Sequence, residues 1–437
     1  MSCPEPYDLT EKPMIETRRN WAGNYTYQAA RIHQPETVEQ IQDLVIHSRK
    51  LKALGTRHSF NDIADSPGDL VSLEHFTKIL SLDPERLTVT VEAGVRYGDL
   101  ARWLHEHGFA LHNLASLPHI SVAGACATAT HGSGDRHGNL ATAVSAIEII
   151  NGRGERVVLS HEKDPEQLRG AVVGLGALGV VTQLTLNISP TFQMQQDVYK
   201  NLPLAELESH YDQLTASIYS LSLFTDWRQP VFNQVWLKRH VPDGVSLKAE
   251  PHLWGATLAT THLHPIPRLS AENCTEQLGV CGPWFERLPH FRMEFTPSAG
   301  EELQSEYMVP RQHAFAALQA VHEVREHVAP LLQISEIRTV AADELWMSPC
   351  YKQASIGIHF TWRKDWESVR KVLPLLDRQL EPFSARPHWG KLFTMSPARL
   401  QSLYEKMPDF RRLLEAYDPQ GKFRNEFLDT YIFGTEP

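Results

Sequence analysis

Residues 53–61, ALGTRHSFN, place a histidine inside a short turn that also carries hydroxyl side chains. The apolar residues just before this turn, Leu51 and Leu54 among them, predict a buried strand. The residues after it, NDIADSPGD (61–69), have the composition of a loop. A histidine at such a junction can be a core residue, a metal ligand, a base or a point of covalent attachment. The turn alone does not choose among these roles.

The composition predicts a globular protein without a nucleic-acid or membrane partner. The 437 residues suffice for two or more domains, and 42% of them are hydrophobic. A net charge of −10 argues against nucleic-acid binding, and no run of about 18 apolar residues occurs. Residues 1–13 lack the features of a signal peptide, and the five scattered cysteines form no CxxC pair. We therefore expect a cytoplasmic protein.

Two regions of different character follow each other along the chain. Up to residue 190, short helices and strands alternate, such as the strand TVTVEAG (88–94) and the helix YGDLARWLHEHG (97–108). Residues 191–399 combine β-type runs with amphipathic helices such as 313–328, which predicts an antiparallel sheet with helices on one face. Residues 400–437 are expected to return to the first region. The sequence therefore predicts an α+β fold of two domains, 1–190 with 400–437, and 191–399.

The string GLGALG (174–179) matches the G-x-G-x-x-G fingerprint of dinucleotide binding. That fingerprint works only when a helix follows, because the helix N-terminus holds the pyrophosphate. The residues that follow here, VVTQLTLNIS (180–189), predict a strand. We therefore interpret the glycines as a tight turn and reject a Rossmann NAD site.

A metal centre is the second alternative, because the chain has 22 histidines. No H-E-x-x-H motif occurs, and His322 and His327 are five positions apart, off one helical face. We therefore expect no metal.

Two loops combine glycines with hydroxyl side chains: residues 53–61 and residues 116–134, SLPHISVAGACATATHGSG. Glycines let main-chain N–H groups approach an anion, and hydroxyls donate hydrogen bonds to it. Either loop alone is better explained by close packing against a sheet or helix. Together, in one domain, they favour an anionic cofactor with a diphosphate.

The second region carries polar side chains on predicted strands whose opposite faces are apolar. These side chains are Glu336 and Arg338 in SEIRTVAAD (335–343), His359 and Thr361 in IGIHFTW (356–362), and Lys391 in RPHWGKLFT (386–394). Residues two apart share one face of a strand. Such a face suits a polyhydroxylated ligand, and its cations suit hydride removal from an alcohol. The alternative is a solvated sheet face with chance charges.

Long stretches of the chain resemble the alditol oxidases, FAD enzymes of the vanillyl-alcohol-oxidase type that are related to the aldonolactone oxidoreductases. The resemblance runs from NWAGNYTY (20–27) to the C-terminus. The other stretches that carry it are GTRHSFN (55–61), ASLPHISVAG (115–124), THGSG (130–134), GLGALGVVT (174–182), FTDWR (224–228), NCTEQLG (273–279), EIRTVAAD (336–343), RPHWGK (386–391) and DPQGKFRN (418–425).

The resemblance implies an FAD-binding domain of the PCMH type, formed by both chain ends, and a cap-like substrate domain over the flavin. It implies a covalent bond between His58 and the flavin 8α-methyl group. The other residues implied to line the cofactor are Leu54, Gly55, Thr56, Arg57, Ser59, Phe60, Ser116, Ser121, Gly124, Ala125, Ala127, Thr128, His131, Gly132 and Val181. The chain departs from the family pattern at Arg57 and His112.

The implied reaction oxidises the terminal CH₂OH (C1) of an alditol such as xylitol or sorbitol to the aldose. Hydride passes to flavin N5, and O₂ reoxidises the flavin to give H₂O₂. The implied polyol site consists of Ser116, Glu336, Arg338, Thr361 and Lys391.

Arg338, Lys391 and His359 are the expected catalytic residues, with either His359 or Lys391 assisting loss of the hydroxyl proton. Two alternatives stay open: a flavin-dependent aldonolactone dehydrogenase with an acceptor other than O₂, and a sugar-binding protein without catalysis. A monomer is compatible with the sequence.

Overall fold

The computed structural model describes residues 18–242, 245, 247–294 and 302–434. Residues 1–13, in which no signal peptide is predicted, lie outside the described residues, as does Cys3. The four described cysteines are free thiols. Within the described ranges, no helix combines the length and the apolar character that a membrane span requires.

The N-terminal part of the chain builds three small sheets. Their strands are β1 (Arg31–His33), β2 (Leu51–Leu54), β3 (Asp69–Ser72), β4 (Ile79–Asp83), β5 (Thr88–Glu92), β6 (Phe109–Ala110), β7 (Val144–Asn151), β8 (Arg156–Ser160), β9 (Gly179–Asn187) and β10 (Ser189–Pro190). The order β1-β3-β2 is parallel, β4-β5-β9-β7-β8 is antiparallel, and β10 pairs with β6. The helices of this part are α1 (Val38–His47), α2 (Tyr97–Glu106), α3 (Val122–Ala127) and α4 (Pro165–Ala171).

The middle of the chain builds one large antiparallel sheet. Its strands are β11 (Gln193–Pro203), β12 (Ser220–Thr225), β13 (Val231–Val241), β14 (His252–Leu253), β15 (Ala256–Leu258), β16 (Gly282–Pro283), β17 (Glu302–Pro310), β18 (Leu332–Val340), β19 (Ser355–Arg363) and β20 (Arg386–Pro387). Their order is β14-β15-β11-β13-β12-β18-β19-β17-β20, with β16 also on β11. The helices are α5 (Glu206–Ala216), α6 (Ala314–Glu323), α7 (Arg325–Val328) and α8 (Trp366–Leu380).

Helices α5, α6 and α8 cover one face of this large sheet. Leu214, Leu318 and Leu373 from these helices share a buried cluster with Ile358 and Phe360 of β19. Each fully buried side chain of this kind contributes about 1.5–3 kcal/mol. Because side chains alternate along a strand, the residues between them face the other side of the sheet, where the polar groups lie.

The chain closes with α9 (Pro397–Ser402), α10 (Met407–Tyr417), α11 (Glu426–Leu428) and one π-helical segment, Asp429–Phe433. This C-terminal part of the chain packs against the N-terminal sheets. It contributes Phe410, Phe423 and Phe427 to the buried cluster that also contains Val89 and Leu184. The domain boundaries at residues 190 and 400 stay predictions.

Most predicted elements occur where the sequence indicates them, including β5, α2 and the strand β9 after the GLGALG turn. Three differ. The predicted loop 116–134 contains α3, because Ala is the best helix former and small side chains lose little entropy there. The predicted helix over 313–328 is divided into α6 and α7 at Val324, whose backbone leaves the helical region.

The third difference concerns the stretch RPHWGKLFT, which was expected to be a strand. Only Arg386–Pro387 pair with β17, and residues from His388 onward form a turn. Pro387 is still within the ladder, and His388 N donates to Glu306 O at 3.0 Å; the chain then turns, with Lys391 N donating to His388 O at 3.1 Å. Lys391 therefore lies on a turn beside the sheet.

Candidate active site

One cavity lies between the two glycine-rich loops and the polar face of the large sheet. It brings together residues that are hundreds of positions apart in the chain. The predicted residues that line it are Leu54, Gly55, Thr56, Arg57, His58, Ser59, Phe60, Ser116, Gly124, Ala125, Ala127, Thr128, His131, Glu336, Arg338, His359, Thr361 and Lys391.

Four residues singled out in the sequence are not among those that line the cavity, although Ser121 lies directly beside two that do, Gly55 and Gly124. Val181 is on β9 opposite Ile149, and a side chain at Gly132 would collide with Asn113. Ser121 begins α3 behind the first loop. His112 is buried 3.5 Å from the Thr142 hydroxyl, so this departure from the family pattern lies away from the cavity lining.

The turn around His58 is held by main-chain hydrogen bonds. Trp21 N donates to Arg57 O at 2.8 Å, and Arg57 adopts a left-handed backbone with φ of 62°. The His58 ring stacks on the Trp21 indole, with ring centroids 5.3 Å apart. Its Nδ1 lies 3.1 Å from the Thr56 hydroxyl. Burial lowers the pKa of His58 to about 4, so its imidazole is neutral at pH 7.

The two loops fit a phosphate-bearing cofactor such as FAD. Ser121 is buried, and its hydroxyl has no hydrogen-bond partner among the described residues. A Cβ added to Gly55 or Gly124 would come within 2.7 or 2.9 Å of this hydroxyl, so glycine keeps the space beside it open. A buried hydroxyl without a partner, beside bare main chain, is the donor set that a diphosphate requires.

Strand register explains why the polar side chains of the large sheet meet. Glu306 on β17 pairs with His359 on β19, and His359 pairs with Glu336 on β18. These three residues therefore form one row across the sheet, on the face opposite the helices. In the neighbouring row Arg338 is paired with Gly357, where a Cβ would lie only 3.0 Å from Glu306 Oε1.

Glu306 is the central anion of this face. Its carboxylate lies 2.5 Å from Lys391 Nζ, 3.2 Å from Arg338 Nη2 and 3.2 Å from His131 Nε2. Burial alone would raise the pKa of Glu306, but Lys391, His131 and Arg338 hold that pKa well below its usual range. Glu306 is therefore ionised and neutralises the cations around it.

His359 is held between two partners. Its Nδ1 lies 2.9 Å from Lys391 Nζ, and its Nε2 lies 3.0 Å from the Thr361 hydroxyl. A lysine ammonium only donates, so Nδ1 accepts and Nε2–H donates to Thr361. Burial and the charge of Lys391 lower the pKa of His359 to about 4. Burial also lowers the pKa of Lys391, against the opposing effect of Glu306.

Arg338 links the sheet to the second loop. Its Nη1 donates to Ser116 Oγ and to His131 O, both at 3.3 Å. Its Nε lies 3.6 Å from Glu336 Oε1. Glu336 Oε1 in turn lies 2.7 Å from His290 Nε2. The arrangement places a carboxylate, a guanidinium and an ammonium along one wall of the cavity.

Sequence reasoning missed Glu306 and His290. Glu306 alternates with Glu302 and Gln304 on β17, so the two-residue spacing that revealed Glu336 and Arg338 was available there too. His290 lies in an irregular segment without such a pattern. In the described parts of the chain, no three His, Cys, Asp or Glu side chains are grouped as a metal site requires.

Family models and known proteins match most of the chain. A family model of FAD-binding domains matches residues 29–160, and a model of D-arabinono-1,4-lactone oxidase matches residues 299–431. The chain is 49% identical to an alditol oxidase of Streptomyces sp., over 95% of this chain and 99% of that protein. It is 26% identical to the L-gulonolactone oxidase of Bos taurus, over 95% and 98% of the two chains.

Among solved structures, a cholesterol oxidase from B. sterolicum shares the fold, with a TM-score of 0.75 and 14% identity over 95% of this chain and 96% of that one. The sequence likeness to the Streptomyces protein extends over nearly the whole of both chains. The chain therefore belongs to the alditol oxidase family of FAD-dependent oxidoreductases, with the two-domain α+β fold of vanillyl-alcohol-oxidase-type flavoproteins.

Proposed function

We propose that this enzyme oxidises the terminal CH₂OH of alditols such as xylitol and sorbitol to the aldose. The observation that carries the proposal is the row Glu306–His359–Glu336, which faces the His58 turn across one cavity. When bound along the two loops, FAD accepts the hydride at N5 and passes the electrons to O₂, giving H₂O₂. The 49% identity to an alditol oxidase supports the substrate class.

The polyol chain would be bound by Glu336 and Ser116, with Thr361 as a further hydroxyl partner. Glu336 lies only 5% exposed, and the cations near it hold its pKa below the usual range although burial alone would raise that pKa. It therefore accepts hydrogen bonds from hydroxyl groups and gives none. Orientation of the reacting carbon in this way removes several kcal/mol of barrier.

We propose that Lys391 contacts the reacting hydroxyl, with Arg338 stabilising the negative charge that develops nearby. Both ring nitrogens of His359 are occupied, by Lys391 and by Thr361, so His359 has none left for the substrate. Lys391 is an ammonium, so it must first pass a proton to His359 Nδ1 over 2.9 Å. Its neutral amine can then take the hydroxyl proton, which leaves the extra proton on His359.

Lys391→Ala is therefore expected to lower the rate of flavin reduction by xylitol severely, measured by stopped-flow absorbance. A near-normal rate in Lys391→Ala, together with a large loss in His359→Phe, would reverse the assignment.

We also propose that His58 binds FAD covalently. The alternative tether, His131, is engaged at both nitrogens, with Nδ1 2.8 Å from Gly132 O and Nε2 3.2 Å from Glu306. Both histidines line the cavity, and His58 does so as a neutral imidazole.

Acid precipitation of the purified protein tests whether His58 binds the flavin covalently. Xylitol-dependent H₂O₂ release tests the proposed reaction. We expect a yellow pellet from the wild type and a colourless pellet from His58→Ala. Acid-stable flavin in His58→Ala would move the tether to His131.

A second candidate function is oxidation of an aldonolactone. It is supported by the lactone-oxidase model that matches residues 299–431 and by the L-gulonolactone oxidase likeness. Parallel assays with xylitol and with L-gulono-1,4-lactone, each with O₂ and with an artificial acceptor, separate the two. Faster turnover of the lactone than of xylitol would favour the second function, and turnover with the artificial acceptor but without O₂ consumption would make the enzyme a lactone dehydrogenase. We also propose a cytoplasmic location.

A further inference from the structure

A second buried lysine–histidine pair stands behind Glu336. Lys238 is fully buried on β13, and its Nζ lies 2.5 Å from Leu288 O, 3.0 Å from Pro289 O and 3.1 Å from His290 Nδ1. Burial lowers the pKa of Lys238 to about 7, and in the ammonium form its three donors meet three acceptors. Lys238 therefore donates to His290 Nδ1, and the His290 proton is on Nε2.

The orientation of His290 follows from these contacts. Its Nε2–H donates to Glu336 Oε1 at 2.7 Å, and its ring packs edge-to-face against Phe224 and Trp236. Burial and the charge of Lys238 lower the pKa of His290 to about 4, so the ring stays neutral at pH 7. Lys238 thus selects the one tautomer that donates to Glu336.

Glu336 is left with one oxygen for a ligand. Its contacts with His290 and Arg338 both involve Oε1. In the described part of the chain, Oε2 has no hydrogen-bond partner, although Glu336 is buried and lines the cavity. Oε2 is not among the fully buried unpaired atoms, so it is accessible from the cavity, where it can accept a hydrogen bond from a ligand hydroxyl.

We propose that Lys238 and His290 are positioning residues, which fix Glu336 so that Oε2 alone accepts a hydroxyl group of the substrate chain. The inference rests on the proposed function, in which Glu336 binds the polyol. Neither residue touches the reacting carbon, so their loss is expected to act on substrate binding more than on the chemical step.

His290→Phe keeps a ring between Phe224 and Trp236 and removes the donor to Glu336. We expect its KM for xylitol to rise about tenfold, with kcat changed less than KM. His290→Gln places an amide N–H near the position of Nε2, and it should recover much of the wild-type KM. Equal KM values in the wild type and His290→Phe would overturn the inference.

Lys238→Met gives a second, independent readout through the pH dependence of KM. The charged and titratable groups around Lys238 and His290 are Glu336, Arg338, Cys274 and Arg287. Without the ammonium, the pKa of His290 should rise, because the charge of Lys238 that lowers it is removed. KM should be close to wild type at acid pH, where His290 carries both protons. KM should increase severalfold above the raised pKa of His290, where the neutral ring carries its one proton on either Nδ1 or Nε2.

A matched control is Lys422→Met, because Lys422 is also a buried lysine held by carbonyls, those of Val45 and Ile46. This variant should lose thermal stability and keep the wild-type KM at every pH. If the wild type turns over xylitol but the KM of Lys238→Met does not change with pH, the inference is wrong and the proposed function is retained. Absence of xylitol turnover by the wild type would overturn the proposed function and this inference together.

Discussion

At the scale of single residues, the charge of the site depends on Glu306. This carboxylate is completely shielded from solvent and contacts both Lys391 and Arg338. Without it, two buried cations would face each other with no anion between them on this side of the cavity. Removal of one partner from a buried ion pair usually costs about 3–5 kcal/mol, since the other charge stays behind.

We expect Glu306→Gln to lower the free energy of unfolding by that amount, about 3–5 kcal/mol, measured by denaturant titration. The carboxylate raises the pKa of Lys391 against the effect of burial, so the variant should lower that pKa. The alkaline limb of the pH–rate profile should therefore move to lower pH. Glu148→Gln is a control, because Glu148 is a buried carboxylate that pairs with Arg156 in β7–β8, away from the cavity. It should lose stability and keep the pH–rate profile.

The residues of this site were predictable to the extent that they alternate within one strand. Spacing placed Glu336 with Arg338, and His359 with Thr361, on common faces. It did not reveal which residues of other strands lie beside them, since register depends on tertiary pairing. Glu306 therefore became visible only through its pairing with His359, and His290 only through its contact with Glu336.

At the scale of elements, the turn after β20 places Lys391. Asn61, which follows the His58 turn, donates from Nδ2 to Trp389 O at 2.8 Å and to Lys391 O at 2.9 Å. Phe60 N also donates to Gly390 O, at 2.8 Å. The cofactor loop and the lysine turn therefore form one hydrogen-bonded unit.

Asn61→Ala should weaken this unit, because two carbonyl oxygens lose their donor, at a cost of about 1–3 kcal/mol. We expect the rate of flavin reduction by xylitol to fall about ten- to a hundredfold, since small displacements of a reacting group are costly. Flavin content should be unchanged. Asn61 also caps the short 3-10 helix at Asp62–Ala64, and Asn61→Ser keeps an acceptor for that cap. Because serine lacks the amide donor, Asn61→Ser should be as slow as Asn61→Ala, and a normal rate in Asn61→Ser would assign the effect to the cap and contradict this explanation.

The elements themselves were predictable where periodicity was long, as in α2, β5 and β9. The turn that carries Lys391 was not predictable, because a stretch of aromatic and apolar residues predicts a strand when only neighbouring residues are considered. The turn that begins at His388 and the hydrogen bonds from Asn61 override that local preference. The sequence singled out Lys391, which lines the cavity, but predicted a strand where the structure has a turn.

At the scale of the whole molecule, several histidines are buried as neutral rings. Burial is the largest cause that lowers the pKa of His137, His290 and His359, each to about 4 from an ordinary value of 6.5. The unfolded chain binds protons at these positions at a higher pH than the folded chain does. Acidification between pH 6.5 and pH 4 therefore favours the unfolded chain.

The melting temperature should consequently fall as the pH is lowered from 7 to 5, with a cost of about 2 kcal/mol for each of the three histidines. Differential scanning calorimetry at low ionic strength measures this. His137→Phe isolates one contribution outside the catalytic residues, because this ring packs against Tyr219 with centroids 4.2 Å apart and a phenyl ring can replace it. The variant should lose less stability on acidification than the wild type, by about 2 kcal/mol. Equal acid sensitivity of the two proteins would show that His137 is protonated in the folded chain, and that the acid loss arises from other groups.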